Sequence, residues 1–434
     1  MRNVYWFKRD LRIEDNRALY KCFIDSKEIY PIFIFDSEIL KNLNSFDNRL
    51  FFLKNVVGNL QNKIKISLFY GKTEEIFESI IKILKPNAVY TAESLTWEGE
   101  LRNKKIKNIC EKYGVRLVEI FDNFLVNPRK IPYSKIYSHF YNKWKNLIDC
   151  QVLKLNEIEL KLKTQELKID KFKLPDFITQ SKPSKGFFWS LDFLNERLKK
   201  FDFKNYSKSR NYLFEDGTSK LSPYIRFGII SIRVLYNKIK NLSTDFVKEL
   251  AWREFWYHIK HYFPEIKNLE FQEKRRNLKW PNNEYFIEKF EKGETGYPII
   301  DAAIRQLKQE NWMHNRARMI VGSFLTKDLL VDWRIGEKFF SRYLIDYDEV
   351  VNVGNWQWIA SVGPDPKPLR IFNPILQARR FDYKGEYILK YIPELSNENI
   401  DNLIDPINKK LNYLKIIVNH MDVLKKIKNF YNKS

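Results

Sequence analysis

A helix-spaced set of polar and aromatic side chains is the most chemically informative feature of the sequence. Glu249, Trp252, Arg253 and Trp256 follow one another at intervals that place them on one face of a helix. A core face would not carry Glu249 and Arg253, and a solvent face would not carry two tryptophans. The combination favours a surface that stacks on a ligand and hydrogen-bonds to it. A self-contained Glu–Arg pair on an amphipathic helix is the alternative interpretation.

A second group of polar side chains follows at similar spacing. Asn315 and Arg318 lie three residues apart and project from the same side of a helix. Downstream, Asp346 and Asp348 supply two carboxylates, either of which would pair with Arg318. This group lies in the segment that holds seven of the eleven tryptophans, namely Trp252, Trp256, Trp280, Trp312, Trp333, Trp356 and Trp358. The mixture favours a functional cluster over an ordinary aromatic core.

The loop from Asp216 to Ser222 is rich in hydroxyl groups and precedes an apolar segment. Hydroxyls, backbone N–H groups and Lys220 together are suited to holding phosphate groups. An ordinary helix N-cap explains the same residues equally well. The loop therefore indicates a phosphate site only in combination with other evidence.

Composition limits the class of protein. The net charge of +22 over 434 residues favours a polyanionic partner, with nucleic acid first, although an AT-rich genome would also enrich lysine. The widely spaced Cys22, Cys110 and Cys150 fit neither a disulfide framework nor a zinc motif, so no metal site is predicted. No apolar run is long enough for a membrane span, and the N-terminus does not resemble a signal peptide. We therefore expect a soluble, cytoplasmic protein without membrane association.

The hydrophobic pattern predicts two domains. Short apolar runs alternate with helical stretches over 1–125, which is typical of a Rossmann-like α/β domain with a parallel sheet. The first loop, over 8–12, lacks the glycines of a dinucleotide-binding fingerprint. A proline-punctuated connector with one or two short helices follows over 126–190, and an all-α domain over 191–434. Strands are predicted at 3–7, 29–35, 66–70, 87–91 and 115–120, and helices at 50–63, 74–84, 100–113, 191–200, 231–241, 244–260, 297–310, 312–327 and 334–345.

These residues resemble the photolyase/cryptochrome family, and most closely its class I cyclobutane pyrimidine dimer photolyases. The similarity runs in order along nearly the whole chain and is densest over 206–228 and 249–374. The matching motifs occupy 6–12, 217–222, 249–255, 293–303, 312–316, 354–358 and 365–374. So many motifs in the family's order make the resemblance highly specific.

The resemblance implies that the helical domain binds FAD. It places an Arg318–Asp346 ion pair beside the isoalloxazine ring and Asn352 at the ring's reactive nitrogen. By position, the cofactor-binding residues would be Tyr206, Thr218, Ser219, Lys220, Leu221, Ser222, Asn315, Arg318, Asp346, Asp348 and Asn352. The protein would thus hold the flavin and tune its charge, while the cofactor supplies the chemistry.

The resemblance also implies a substrate, which is DNA carrying a flipped-out cyclobutane pyrimidine dimer. Electron transfer from the excited, reduced flavin would split the dimer, with Glu249 and Asn352 as catalytic residues. Trp356, Trp333 and Trp280 would form the electron-transfer chain that reduces oxidised flavin in light. The residues that match lesion or DNA contacts are Arg210, Glu249, Trp252, Arg253, Trp256, Asn315, Arg316, Met319, Trp358 and Gln377.

Alternatives within the family are a cryptochrome photosensor and a (6-4) photolyase. The identities of Glu249, Trp252, Met319, Asn352 and Trp358 favour dimer repair over a photosensor. Asn315 and Met319 beside the single His314 favour it over a (6-4) photolyase, whose lesion pocket is rich in histidine. Outside the family, the alternative is a basic RNA-binding protein with aromatic platforms. A second, antenna chromophore (a folate, a deazaflavin or a flavin) would contact Arg49, Glu93 and Glu98. The protein is expected to be a monomer.

Overall fold

Five parallel strands form one sheet in the N-terminal part of the chain. The computed structural model describes residues 1–41, 43, 47–184, 186–365, 367 and 369–432. The strand order is β3-β2-β1-β4-β5, and every neighbouring pair is parallel. The strands are β1 (Arg2–Phe7), β2 (Glu28–Asp36), β3 (Ser67–Gly71), β4 (Ala88–Ala92) and β5 (Arg116–Ile120). All five predicted strands are confirmed, and the three inner strands β2, β1 and β4 are the most deeply buried, as expected of a parallel sheet.

Helices make up most of the remaining chain. In the described residues from 191 onward there is no strand, which confirms the predicted all-α region. The α-helices are α1 (Arg17–Asp25), α2 (Ser37–Leu40), α3 (Asn48–Gln61), α4 (Thr73–Leu84), α5 (Trp97–Lys112), α6 (Tyr137–Trp144), α7 (Glu157–Lys163), α8 (Asp176–Thr179), α9 (Leu191–Lys200), α10 (Tyr206–Ser209), α11 (Ser222–Arg226), α12 (Ile232–Ile239), α13 (Thr244–Tyr262), α14 (Glu284–Lys292), α15 (Pro298–Glu310), α16 (Asn315–Ser323), α17 (Trp333–Tyr343), α18 (Glu349–Ile359), α19 (Pro374–Phe381), α20 (Glu386–Tyr391), α21 (Ile400–Ile404) and α22 (His420–Asn432). Short 3-10 turns lie at Pro128–Lys130, Asp170–Phe172, Pro264–Lys267, Glu273–Arg275 and Pro393–Leu395, and a π-helical turn at Phe324–Asp328. None of the described helices combines the length and the apolar composition that a membrane span requires.

Packing divides the chain into two units that are discontinuous in sequence. The first comprises Met1–Lys130, Asn146–Phe201 and Lys220–Asn241, and the second comprises Ile131–Lys145, Asp202–Ser219 and Leu242–Ser434. The predicted boundaries at 125 and 190 differ from this division. The chain passes between the units several times, and boundaries inferred from local composition cannot show such crossings.

The first unit buries a charged network beside its sheet. Arg12 pairs with Asp122 at 2.6 Å between Nη2 and Oδ2, and Arg233 pairs with Asp15 at 2.7 Å between Nε and Oδ2. Arg233 also contacts Asp122, and all four side chains are almost completely buried. The charge of Arg12, in the loop that follows β1, is therefore neutralised inside the protein, as buried charges require.

The second unit is organised around α13 and α18. Ser243 caps α13 by accepting a hydrogen bond from the Phe246 N–H at 3.3 Å. The predicted helix over 312–327 is shorter than expected, because α16 begins at Asn315 and gives way to the π-helical turn at Phe324. The physical reason is local, because His314 is the N-cap of α16. Its Nδ1 accepts a hydrogen bond from the Arg316 N–H at 3.1 Å, so the helix begins after His314 and not at Trp312.

Candidate cofactor and substrate site

Arg318 forms an ion pair with Asp346 and is also held by a backbone carbonyl. The distance between Arg318 Nη2 and Asp346 Oδ2 is 2.8 Å. Arg318 Nε also donates to the Met313 carbonyl at 2.9 Å. The Asp346 side chain is only 4% exposed, so the pairing occurs away from bulk solvent, where it is screened little. Residue spacing left both aspartates open as partners and the family resemblance implied Asp346, which is the partner in the structure.

Asp348 instead holds the start of α18. Its Oδ1 accepts the N–H groups of Val350 at 3.2 Å and Val351 at 3.3 Å, which is an N-cap. Its Oδ2 accepts the Tyr257 hydroxyl at 2.6 Å. Because Tyr257 belongs to α13, this bond links the two central helices of the second unit.

Asn352 is oriented by a half-buried glutamate that the sequence analysis did not identify. Asn352 Nδ2 donates to Glu337 Oε1 at 3.0 Å and to the Glu337 carbonyl at 3.2 Å. The Tyr347 hydroxyl donates to the same Oε1 at 2.9 Å, and burial raises the pKa of Glu337. Asn352 Oδ1 accepts no hydrogen bond from the described residues, so the amide oxygen remains available to a ligand. The sequence did carry a signal for this residue, because Glu337 is an acid at helical spacing between the apolar Trp333 and Phe340 of α17.

The predicted lesion-binding face of α13 is assembled as one cluster. Arg210 forms an ion pair with Glu249, and burial raises the pKa of Glu249 above its usual range. The half-buried Trp252 lies 5.8 Å from Trp256, measured between ring centroids. Trp252 also stacks face to face on Tyr137, with 3.7 Å between ring centroids and 2° between ring planes. Tyr137 lies in the predicted connector and was not identified from the sequence.

Close packing fixes α13 against α18. Trp256 lies on Gly354, where any Cβ would overlap the indole ring, so only glycine permits this approach. Together with the Tyr257–Asp348 hydrogen bond, this contact joins the helix that carries Glu249 to the helix that carries Asn352. The predicted substrate and cofactor groups therefore project from one rigid helix pair.

A basic group lies at α16 and α19. Arg316 Nη2 donates to Asn211 Oδ1 at 2.6 Å, and its guanidinium lies 4.3 Å from the Phe381 ring centroid. Burial lowers the pKa of Arg316, and the nearby charges of Arg380 and Arg210 lower it further. Three arginines in proximity form a concentrated positive charge suited to phosphate groups. The sequence analysis missed Asn211, Phe381 and Arg380.

Other predicted DNA contacts are placed individually. Trp358 has the Arg370 guanidinium 4.6 Å from its ring centroid, and Arg370 is itself paired with Asp365 at 3.0 Å between Nη2 and Oδ1. Gln377 Oε1 is buried and accepts no hydrogen bond from the described residues. Three further predicted contacts are exposed or half-buried, namely Asn315, Met319 and Arg253.

The residues of the predicted phosphate loop belong to different packing units. Tyr206, Thr218 and Ser219 lie in the second unit, where the Tyr206 ring is 5.1 Å from the Phe246 ring. Lys220, Leu221 and Ser222 lie in the first unit, where Lys220 adopts a left-handed backbone with φ of 54°. Leu221 occupies the position before α11, so no hydroxyl residue caps that helix and the N-cap interpretation is wrong.

The three tryptophans of the predicted electron-transfer chain lie in the second unit. Trp356 and Trp333 are buried, with the Trp356 ring 4.9 Å from Phe340 and Trp333 Nε1 donating to Glu270 at 3.3 Å. Trp280 packs against residues of α22, and its buried Nε1 donates to no described residue. Within the described chain, none of the three rings is in direct ring contact with another, so their role stays a prediction.

Replacing Gly336 with alanine is expected to destabilise the protein. Any Cβ at this position of α17 would overlap the Trp356 ring and the Leu325 side chain. Overpacking of this kind costs about 1–3 kcal/mol of unfolding free energy, which urea denaturation measures. The matched control is Gly58→Ala in α3, where nothing lies within 4 Å of the new methyl group. The control is expected to be neutral or stabilising, and equal stability of the two variants would contradict the packing argument.

Two of the three predicted antenna residues form ion pairs within the first unit. Arg49 pairs with Asp47 at 2.7 Å between Nη2 and Oδ2, and Glu93 forms a two-bond pair with Arg129 at 2.6 and 2.8 Å. Glu98 lies in the first turn of α5. Their role toward a second chromophore stays a prediction.

Sequence comparison identifies the family. Residues 3–159 match the DNA photolyase domain, and residues 246–433 match the FAD binding domain of DNA photolyase. The chain is 33% identical to a deoxyribodipyrimidine photo-lyase of Synechococcus sp., over 99% of this chain and 96% of that protein. It is 35% identical to a deoxyribodipyrimidine photo-lyase of Alkalihalophilus pseudofirmus, over 90% of this chain and 87% of that protein. The chain belongs to the DNA photolyase family and contains its FAD-binding domain.

Solved structures agree with this assignment. An archaeal photolyase from Sulfolobus tokodaii, described with two FAD molecules, superimposes with a TM-score of 0.90 at 30% identity and covers both chains fully. A Synechocystis cryptochrome superimposes with a TM-score of 0.88 over 99% of each chain, at 23% identity. At that identity the cryptochrome shows a shared fold alone.

Proposed function

We propose that this protein repairs cyclobutane pyrimidine dimers in DNA in a light-dependent reaction that uses FAD. The observation that carries the proposal is the rigid pairing of α13 with α18. Glu249 and Trp252 on α13 are suited to two covalently joined pyrimidines of one DNA strand, and Asn352 on α18 is suited to a flavin. The Tyr257–Asp348 hydrogen bond and the Trp256–Gly354 contact hold these groups in one arrangement. The names of the related photo-lyases support the same substrate.

The residues of the second unit fit FAD. Asn352 presents an amide oxygen that accepts no hydrogen bond from the described chain, which is suited to an N–H group of a flavin ring. The Arg318–Asp346 pair offers one positive and one negative group without net charge. Reduced FAD bound there would, on excitation by light, donate an electron that opens the cyclobutane ring and then returns to the cofactor, so the reaction has no net change of oxidation state. Thr218 and Ser219 of the second unit are proposed to hold the phosphates.

The substrate groups have separate tasks. We assign to the Glu249 carboxylate the acceptance of hydrogen bonds from N–H groups of the flipped bases, and to Trp252 and Trp358 the packing against them. Arg316 and Arg380 are proposed to neutralise phosphates on either side of the lesion. Flipping costs a few kcal/mol and is cheapest for a damaged base, so this pocket would select the lesion.

The chain of Trp356, Trp333 and Trp280 is proposed to deliver an electron from the protein surface to oxidised cofactor. The burial of Trp356 and Trp333 supports this assignment, because buried indoles are protected from competing reactions with solvent. This role is independent of lesion recognition. Variants of the three tryptophans should therefore affect photoreduction of the flavin, and variants of the lesion pocket should affect repair.

A repair assay tests the proposal. Purified protein with reduced flavin is mixed with DNA containing a cyclobutane thymine dimer, and the thymine absorbance is followed under blue light with a dark control. Light-dependent recovery of the absorbance is the expected result. Absence of recovery with reduced flavin demonstrably bound would exclude this lesion as substrate. A parallel reaction with a (6-4) lesion would then separate a (6-4) photolyase from a photosensor.

A second chromophore in the first unit remains a proposal. The Sulfolobus tokodaii structure is described with two FAD molecules and a light-harvesting role for one of them. Chromatography of the pigments released from the purified protein would show whether a folate, a deazaflavin or additional flavin accompanies the catalytic FAD. A flavin content of two per chain would indicate the same arrangement here.

A further inference from the structure

We propose that Tyr137 is a positioning residue that fixes the ring plane of Trp252 for stacking on the flipped lesion. This inference rests on the proposed repair function and names a residue outside the set predicted from the sequence. Tyr137 is the first residue of α6, which belongs to the second unit together with α13.

The contact between the two rings is unusually complete. The ring centroids are 3.7 Å apart and the planes differ by 2°. The other rings in contact with Trp252 are not parallel to it, since Phe255 is perpendicular at 89° and Trp256 is tilted by 35°. Tyr137 is therefore the one described ring that stacks in parallel on Trp252, and it defines the plane of the indole.

Tyr137 is itself held at its far end. Its hydroxyl donates to the Lys248 carbonyl at 2.8 Å, one turn before Trp252 on α13. At the other end of α6, Trp144 Nε1 donates to the buried Glu254 Oε2 at 2.6 Å. Two hydrogen bonds to α13 thus fix α6, and with it the orientation of the Tyr137 ring.

Tyr137 lies near two charged residues of the proposed lesion-binding cluster, Glu249 and Arg210. Burial raises the pKa of the Tyr137 hydroxyl, and the negative charge of Glu249 raises it further, while Arg210 opposes the shift. Both charged groups belong to the proposed lesion-binding cluster. Tyr137 therefore stays neutral and borders the pocket.

A fixed indole plane would improve binding of the damaged base. An unsupported Trp252 would have to be ordered each time a base stacks on it, and that ordering reduces affinity. A ring already held by Tyr137 is pre-organised, so the flipped base completes an existing stack. The effect should be confined to flipped bases, because undamaged DNA that stays stacked does not reach Trp252.

Three variants and a matched control test the inference in the full-length flavoprotein. Tyr137→Leu and Tyr137→Met remove the ring, Tyr137→Phe keeps the stack, and Tyr133→Leu changes an exposed tyrosine that packs on Tyr262 instead. The dissociation constants for dimer-containing and undamaged DNA are measured together with flavin content and the repair rate at saturating DNA. The methionine variant provides a second test if the leucine variant does not retain flavin.

The expected result is a selective loss of lesion affinity. The leucine and methionine variants should bind dimer-containing DNA about two- to tenfold more weakly, with binding of undamaged DNA and flavin content unchanged. The phenylalanine variant keeps the stacked ring but lacks the hydrogen bond to Lys248, so its lesion affinity should lie closer to wild type than that of the ring-less variants, and the control should match wild type. Equal weakening for both DNAs, or no weakening in either ring-less variant, would overturn the inference.

The wild-type arm distinguishes this inference from the proposed function. If the wild-type protein repairs dimers and prefers dimer-containing DNA, and the ring-less variants bind this DNA equally well, the role of Tyr137 is refuted and the repair function is not. Wild-type protein that neither repairs dimers nor prefers them would refute both.

Discussion

The Trp356→Phe substitution is expected to abolish reduction of the oxidised flavin by light. Trp356 is the member of the proposed chain that lies on α18 with Asn352, and it is almost completely buried against Phe340. Phenylalanine preserves an aromatic ring at this place but is much harder to oxidise than an indole. The measurement is the flavin absorbance of each protein under blue light in the presence of an external reductant. The variant should keep the spectrum of oxidised flavin, whereas the wild-type protein should lose it as its flavin is reduced.

Repair provides the internal control for this variant. If the Trp356→Phe flavin is reduced chemically before DNA is added, dimer repair should proceed at close to the wild-type rate. Trp189→Phe, which changes another buried tryptophan in the first unit, should show normal photoreduction. Normal photoreduction of Trp356→Phe would remove Trp356 from the electron-transfer chain, and loss of both reactions would indicate a damaged flavin site instead.

The Glu249→Ala variant is expected to lose dimer repair by about 10- to 100-fold. This range corresponds to about 1.5–3 kcal/mol, the typical contribution of a hydrogen bond to a charged group. The Arg210 partner of Glu249 is partly exposed, so the variant leaves a solvated arginine and should fold normally. Single-turnover repair at saturating light, together with lesion affinity, measures the loss. Glu273→Ala, at an 84% exposed side chain, should behave as wild type.

The acid–base behaviour of Glu249 gives this prediction a second readout. Burial raises the pKa of Glu249 despite the neighbouring Arg210, so the carboxylate is protonated at a higher pH than an exposed glutamate. The ionised form accepts the hydrogen bonds from the bases. Lesion affinity should therefore be present above this pKa and should decline as the pH falls through it. The decline should be absent in Glu249→Gln, and an identical pH profile in that variant would assign the titration to another group.

Local sequence patterns were sufficient for much of the fold. The five apolar runs became five parallel strands, and the helical periodicity after residue 190 became an all-α region. These features depend on residues close together in sequence, whose spacing decides which face of a strand or helix is apolar. The ordered motifs likewise identified the photolyase family, which the comparisons confirm.

Details set by distant residues were not accessible in the same way. Residue spacing alone could not choose between Asp346 and Asp348 as the partner of Arg318, and only the family resemblance implied the Asp346 pair that the structure shows. Glu337 carried no motif, and its contact with Asn352 joins two helices. Tyr137 lies in a segment with weak hydrophobic periodicity, which was predicted to be a connector.

By itself, therefore, the sequence determined the α/β and all-α architecture, the family and the residue types available for flavin and DNA. The tertiary structure alone decided which side chain orients Asn352, which ring supports Trp252, and which segments of the chain pack into each unit. The physical reason is the range of the interactions. Backbone periodicity acts over a few residues, whereas ion pairs, ring stacks and core packing join groups separated by many residues of sequence, and only the folded chain brings these together.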